Sequence, residues 1–252
     1  SDSRHTPPPS SEPAVWSGPV RDRSRSIVSR ASKTPDTTAG DSISAIDATI
    51  YPEYAISSRS RNAIAVMKVT AEIEPKHAAT AAASGLAATG AADPARLAIK
   101  GGSAGGWTVL AALARTDVFA AGISRYGVGD ARALAAASHG FEAHYLDGLI
   151  GPLPETEEVY RERSPLTHIE GFDVPVLLLQ GSDDPVVPPS QAEAIRDALA
   201  AHGVPHTYVR YEGEGHGFRR AETIVHALET ELAFLGHVFG FETPGIPPIT
   251  LT

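Results

Sequence analysis

The chain has 252 residues, 21 Lys+Arg against 30 Asp+Glu, and a formal net charge of −9. That acidity argues against a nucleic-acid binder, whose footprint is a basic face. The absence of Cys excludes disulfides, thiolate zinc sites, iron–sulfur clusters and a cysteine nucleophile, and no run of about 18 uncharged apolar residues exists to span a membrane as a helix.

Residues 1–60 read as low-complexity text. Residues 1–13 are Pro/Ser-rich and residues 21–32 are Arg/Ser-rich, and only two of the 23 Gly, Gly18 and Gly40, fall before residue 60. Neither a helical nor a strand period runs through them, so disorder is the expectation. No apolar stretch follows the basic residues, so a secretory signal is not expected. Position 1 is Ser, so the chain reads as a fragment or a processed product. Short apolar patches at Ile43–Ile50 and Ile64–Val69 could each be a strand. The division expected is therefore 1–75, low-complexity and disordered or misread, and 76–252, a catalytic domain.

From residue 76 the pattern changes. An Ala-rich stretch predicts a helix ending near Gly90. Asp93-Pro94 marks a turn, and Leu97–Lys100 a short strand. The run GGSAGG leads into a helix over Trp107–Arg115, then a strand over Phe119–Tyr126. Residues 130–172 are mixed, with helical pieces around 130–137 and 155–163. Val174–Gln180 contains the uninterrupted apolar run of a strand buried on both faces. A helix over Gln191–His202, a strand over Thr207–Tyr211 and a helix over Ala221–Phe239 complete the chain. Strands alternating with helices predict an α/β fold with a parallel sheet.

Gly101-Gly102-Ser103-Ala104-Gly105 is a G-x-S-x-G motif that follows a predicted strand and opens a predicted helix. In that setting it reads as a nucleophile elbow, which holds the serine hydroxyl above the sheet on strained dihedrals. Glycines flank it because a Cβ there would strike the neighbouring helix or strand. The alternative is a glycine-rich turn with an incidental serine. No G-K-[ST] and no G-x-G-x-x-G follow, so neither a P-loop nor a dinucleotide fingerprint is present.

A serine nucleophile needs a base, and the base an orienting acid. The α/β-hydrolase order is Ser, Asp, His. Asp183 and Asp184 lie in the loop after the Val174–Gln180 strand, at the end where ligands gather on a parallel sheet. His216 lies in a glycine-flanked loop after the next strand. Each alone could be a solvated loop residue, but the order and the placement after strands make Ser103, Asp184 and His216 the candidate triad. Asp184 is preferred because it stands four before Pro188 in a G-x-x-D-x-x-V-P pattern, leaving Asp183 exposed or bonded within the loop. The remaining histidines, among them His139, His144, His202, His206, His226 and His237, have no metal spacing. No metal and no cofactor are expected.

With these residues in place, residues about 86–245 resemble the C-terminal part of the catalytic domain of the prolyl oligopeptidase family, in the acylaminoacyl peptidase and dipeptidyl aminopeptidase subgroup. The matching text is DPARLAIKGGSAGGWTVLAAL, RYGVGD, FEAHYLDGLIGPLPE, YRERSPLTHIEGFDVPVLLLQGSDDPVVPPSQAEAI and GEGHGFRRAE. The resemblance implies an α/β-hydrolase fold and a cytoplasmic, cofactor-free serine peptidase acting on short peptides or acyl-peptides. It implies Ser103 as nucleophile, His216 as base, Asp184 as acid and the Ala104 N–H as an oxyanion donor. It also makes Trp107, Tyr126 and Val187 candidates for the substrate pocket, with plain core packing as their alternative.

Two features of the family are missing from residues 1–90: an HGGP-like stretch and a Y-G-G-S-like stretch that complete the oxyanion hole. Tyr51 and Tyr54 have the wrong neighbours. No propeller domain is expected within these 252 residues. The first strands of the fold are therefore expected to be missing or abnormal, as if residues 1–80 were translated out of frame. On that expectation the Leu97–Lys100 strand lacks a partner, and its open apolar edge invites aggregation or a homo-oligomer. The readings that follow are a serine peptidase, an esterase using the same triad, or a catalytically impaired fragment.

Overall fold

Among the described residues five strands form one sheet, all parallel, in the order of the chain. The computed structural model describes residues 64–69, 76–137 and 145–252. Strand β1 (Ala65–Val69) is followed by α1 (Lys76–Ala88), β2 (Leu97–Gly102), α2 (Ala104–Arg115) and β3 (Ala121–Arg125). Among the described residues three short helices follow, α3 (Ala131–Ala137), α4 (Tyr145–Leu149) and α5 (Glu157–Arg163). The chain returns through β4 (Val176–Gly181), α6 (Pro189–Ala201), β5 (His206–Tyr211) and α7 (Ala221–Phe239).

The apolar run of β4 explains the layering. Its residues are all buried. Val176 and Leu178 enter the cluster that includes Val109, Leu113, Ile195 and Leu199 from α2 and α6. Leu177 and Leu179 enter the opposite cluster with Ala227, Phe234 and Phe239 of α7. A strand covered on both faces has no polar side to show, so alternation vanishes from its sequence. Successive side chains of the parallel strands feed the two clusters in turn.

One expectation fails here. The strand at Leu97–Lys100 is not unpartnered, because β1 pairs with it from Ala65↔Leu97 to Val69↔Gly101. The Ile64–Val69 patch is short, apolar and β-branched at three positions, which suits a strand beside β2. Part of the segment assigned to low complexity thus belongs to the sheet, and among the described residues β1 is one edge strand and β5 the other. Residues 1–63, with the Ile43–Ile50 patch, Tyr51 and Tyr54, lie outside the described residues, as do His139 and His144. Among the described residues no helix is long and apolar enough to cross a membrane.

Candidate active site

Ser103 is the single residue between the last residue of β2 and the first of α2. Its backbone sits at φ 57°, ψ −123°, a region costly for a non-glycine residue. The surroundings hold it there. Its N–H donates to Arg125 O at 3.0 Å, tying the elbow to the end of β3, and its carbonyl accepts Trp107 N–H at 3.0 Å to start the helix. The packing at this turn requires glycine: a Cβ on Gly101 would lie 2.4 Å from Gly105 O. The Ser103 side chain does not cap α2, which leaves its hydroxyl for another partner. As the first helical residue, Ala104 carries an N–H with no intrahelical acceptor.

That partner is His216, whose Nε2 lies 2.8 Å from Ser103 Oγ. Its Nδ1 lies 2.9 Å from Asp184 Oδ2. With the carboxylate accepting at Nδ1, the proton belongs on Nδ1 and the Nε2 lone pair faces the serine. Asp184 is buried, and its other oxygen accepts the N–H groups of Val186 and Val187, each at 2.9 Å. The Gln180 amide donates to Asp184 Oδ2 at 3.4 Å and to Val187 O at 3.1 Å, closing the loop under the acid. Asp183 is exposed, and its Oδ1 accepts the Ser182 hydroxyl at 2.6 Å.

Tyr126, at the end of β3, has φ 38°, the other positive value among described non-glycine residues. Its ring stands edge-on to His216 at 5.0 Å between centroids, and to Phe218 at 5.3 Å. It also fills the space beside Gly102. Of the three pocket candidates, Tyr126 is therefore the one in ring contact with His216. Trp107 and Val187 are 5% and 3% exposed and share a buried cluster with Leu134, Leu146 and Tyr160. The Trp107 indole N–H donates to Arg163 O at 2.8 Å. Core packing, the alternative weighed for them, describes their surroundings.

Two buried carboxylates near the site were not singled out by the sequence reading. Glu231 of α7 is 1% exposed and accepts Lys100 Nζ at 2.9 Å and Arg125 Nε at 2.6 Å. It joins the helix to the ends of β2 and β3, just below the elbow. A signal existed: Glu231 falls on the apolar stripe of α7, four after Ala227 and three before Phe234. Glu214, two residues before His216, is 2% exposed. Burial would raise its pKa, but hydrogen bonds from Arg219 N–H, Thr223, Arg220 N–H and the Arg220 guanidinium outweigh that and hold it at about 2. Nothing in the sequence separates it from a solvated loop glutamate.

Three other histidines have hydrogen-bond partners away from the site: His202 Nδ1 with Ala198 O, His206 Nδ1 with Val204 O, and His226 Nδ1 with the Tyr211 hydroxyl. Among the described residues no group of three or more His, Asp or Glu is arranged to hold a metal ion.

Comparison with known proteins places the chain in a family. The profile of the prolyl oligopeptidase family matches residues 77–242. A solved structure of a puromycin-hydrolyzing peptidase of Mycobacterium tuberculosis is 57% identical, with a TM-score of 0.67 over 69% of this chain and 26% of that one. Dipeptidyl aminopeptidase BIII of Pseudoxanthomonas mexicana is 35% identical over 133 residues, 50% of this chain and 19% of that protein. A probable carboxylic ester hydrolase of Mycobacterium tuberculosis is 32% identical over 178 residues, 62% of this chain and 40% of that protein. The chain thus spans a fifth to two-fifths of the length of these curated relatives.

Proposed function

The chain belongs to the prolyl oligopeptidase family, and from that premise we propose that it is a serine peptidase hydrolysing short peptides or acyl-peptides through an acyl-enzyme on Ser103. The observation that carries the proposal is the hydrogen-bonded row from Ser103 Oγ through the His216 ring to Asp184, at 2.8 and 2.9 Å. Relatives described as a dipeptidyl aminopeptidase and a puromycin-hydrolyzing peptidase support the peptidase reading.

In the proposed first half, Ser103 Oγ attacks the scissile carbonyl carbon while its proton passes to His216 Nε2. The Ala104 N–H donates to the oxygen that becomes negative. Collapse breaks the C–N bond, and the departing amine takes the proton from Nε2. In the second half a water molecule gives a proton to Nε2 and attacks the ester carbonyl, and Ser103 Oγ leaves with that proton. Asp184 keeps the proton-bearing Nδ1 oriented and balances the imidazolium formed in each half.

The ester reading is favoured by the relative described as a probable carboxylic ester hydrolase. Turnover of aminoacyl arylamides compared with short acyl esters separates the two, with Ser103→Ala as control. The peptidase reading predicts cleavage of both bond types and the esterase reading cleavage of esters alone. Turnover is proposed to be weak, because the second-donor motifs are missing from residues 1–90, and one oxyanion donor is worth about 10²–10³ in rate. The reading places the enzyme in the cytoplasm, and cell fractionation tests that. It also leaves the β1 edge as the expected route of pairing with a second copy, which light scattering of the purified chain checks.

A further inference from the structure

We propose that Glu214 is a positioning residue that fixes His216 against Ser103 and Asp184. The inference rests on the proposed role of His216 as base. His216 sits between Gly215 and Gly217, and Gly217 has φ +86°. Such a stretch has wide conformational freedom and does not hold a ring in place by itself. Glu214 supplies the restraint from both sides of the loop.

On the near side, its carbonyl accepts Asp183 N–H at 2.9 Å, and its own N–H donates to Tyr211 O at 3.3 Å. The first bond joins the His216 loop to the residue next to Asp184. On the far side, Oε2 accepts Arg219 N–H at 2.9 Å. Oε1 accepts Arg220 N–H at 3.1 Å and Arg220 Nε at 3.2 Å. The backbone from 214 to 219 is thereby closed into a ring with His216 at its tip. Arg220, the residue before α7, makes no side-chain cap of its own, and Glu214 adds its negative charge to that of Glu222 at the start of that helix. The carboxylate thus ties the histidine loop to the start of the helix that follows, while the backbone carbonyl of the same residue ties that loop to the acid loop.

The test is Glu214→Gln in the full chain, which keeps the volume but puts an amide N–H against a backbone N–H. Two readouts are used: the rate constant for fluorophosphonate labelling of Ser103 in the folded fraction, and the downfield proton NMR signal of His216 Nδ1–H, assigned by its loss in His216→Gln. The expected result is labelling slowed about 10- to 100-fold, the scale of a misplaced catalytic group, with the His216 signal broadened or lost. A folded variant that labels at the wild-type rate with an unchanged signal overturns the inference. A merely structural role would lower the melting temperature and leave both readouts of folded molecules unchanged. If Glu214→Gln does not fold, Glu214→Asp takes its place, with a smaller slowing expected and wild-type behaviour overturning the inference. Failure of the triad reading looks different: wild-type protein would not label at Ser103, or His216→Ala would label equally well, while the NMR comparison would still report on Glu214.

Discussion

His216 Nε2 lies 2.8 Å from Ser103 Oγ, although 113 positions separate the two residues in the chain. Parallel connections deliver both to the same end of the sheet: the serine on the turn after β2 and the histidine on the loop after β5. Asp184, after β4, arrives there by the same rule. The site is a consequence of strand direction and of three loops that leave the same edge.

Removing Asp184 should cost far more than removing its neighbour. Asp184→Asn keeps the shape but presents an amide where His216 Nδ1 needs an acceptor, so the labelling rate should fall by about 10³–10⁴. Asp183→Asn, at an exposed side chain, should leave it within a few-fold of wild type. Side-by-side labelling of the two variants checks the choice.

The turn at the serine should reject a side chain. Gly101→Ala would put a methyl 2.4 Å from Gly105 O, a backbone atom that cannot step aside without moving α2. The expected cost is about 1–3 kcal/mol, read as a lower denaturation midpoint, together with slower labelling of Ser103.

Glu231→Gln should destabilise through charge. The variant leaves Lys100 and Arg125 side by side without the carboxylate that lies between them. Breaking a buried ion pair on one side costs about 3–5 kcal/mol, and the lower end is expected here because both cations keep partial solvent contact. Urea unfolding of both proteins measures it.

Glu214 gives a pH signature. Its carboxyl stands at about 2 in the folded chain against an ordinary value of 4.5. A lowered folded pKa adds stability above the ordinary value, and that stability is lost as pH falls from about 4.5 toward 2. The melting-temperature gap between wild type and Glu214→Gln should therefore be constant near neutral pH and shrink between pH 5 and 3. A gap unchanged across that window would remove the charge from the account.

Much of this was legible in the sequence where local rules and spacing coincide. The elbow could be read because its strand, glycines and helix are contiguous, and Asp184 and His216 because each follows a strand. The β4 run announced its two-sided burial. What stayed hidden depended on tertiary partners. For Trp107 the sequence left pocket wall and core packing both open, because its partners, Arg163 O and the Tyr160 cluster, lie far along the chain. The partner of β2 was only one of two apolar patches until β1 took up its register. Glu214 reads as a loop residue because its partners include the backbone N–H groups of Arg219 and Arg220, whose direction no sequence states.

The most direct measurement is mass spectrometry of the full chain after fluorophosphonate treatment, with His216→Ala beside it. The account predicts a single adduct on Ser103 in the wild type and a rate at least about 10³-fold lower in the variant. A folded wild-type chain with no adduct on Ser103, or equal labelling of the two proteins, would contradict it.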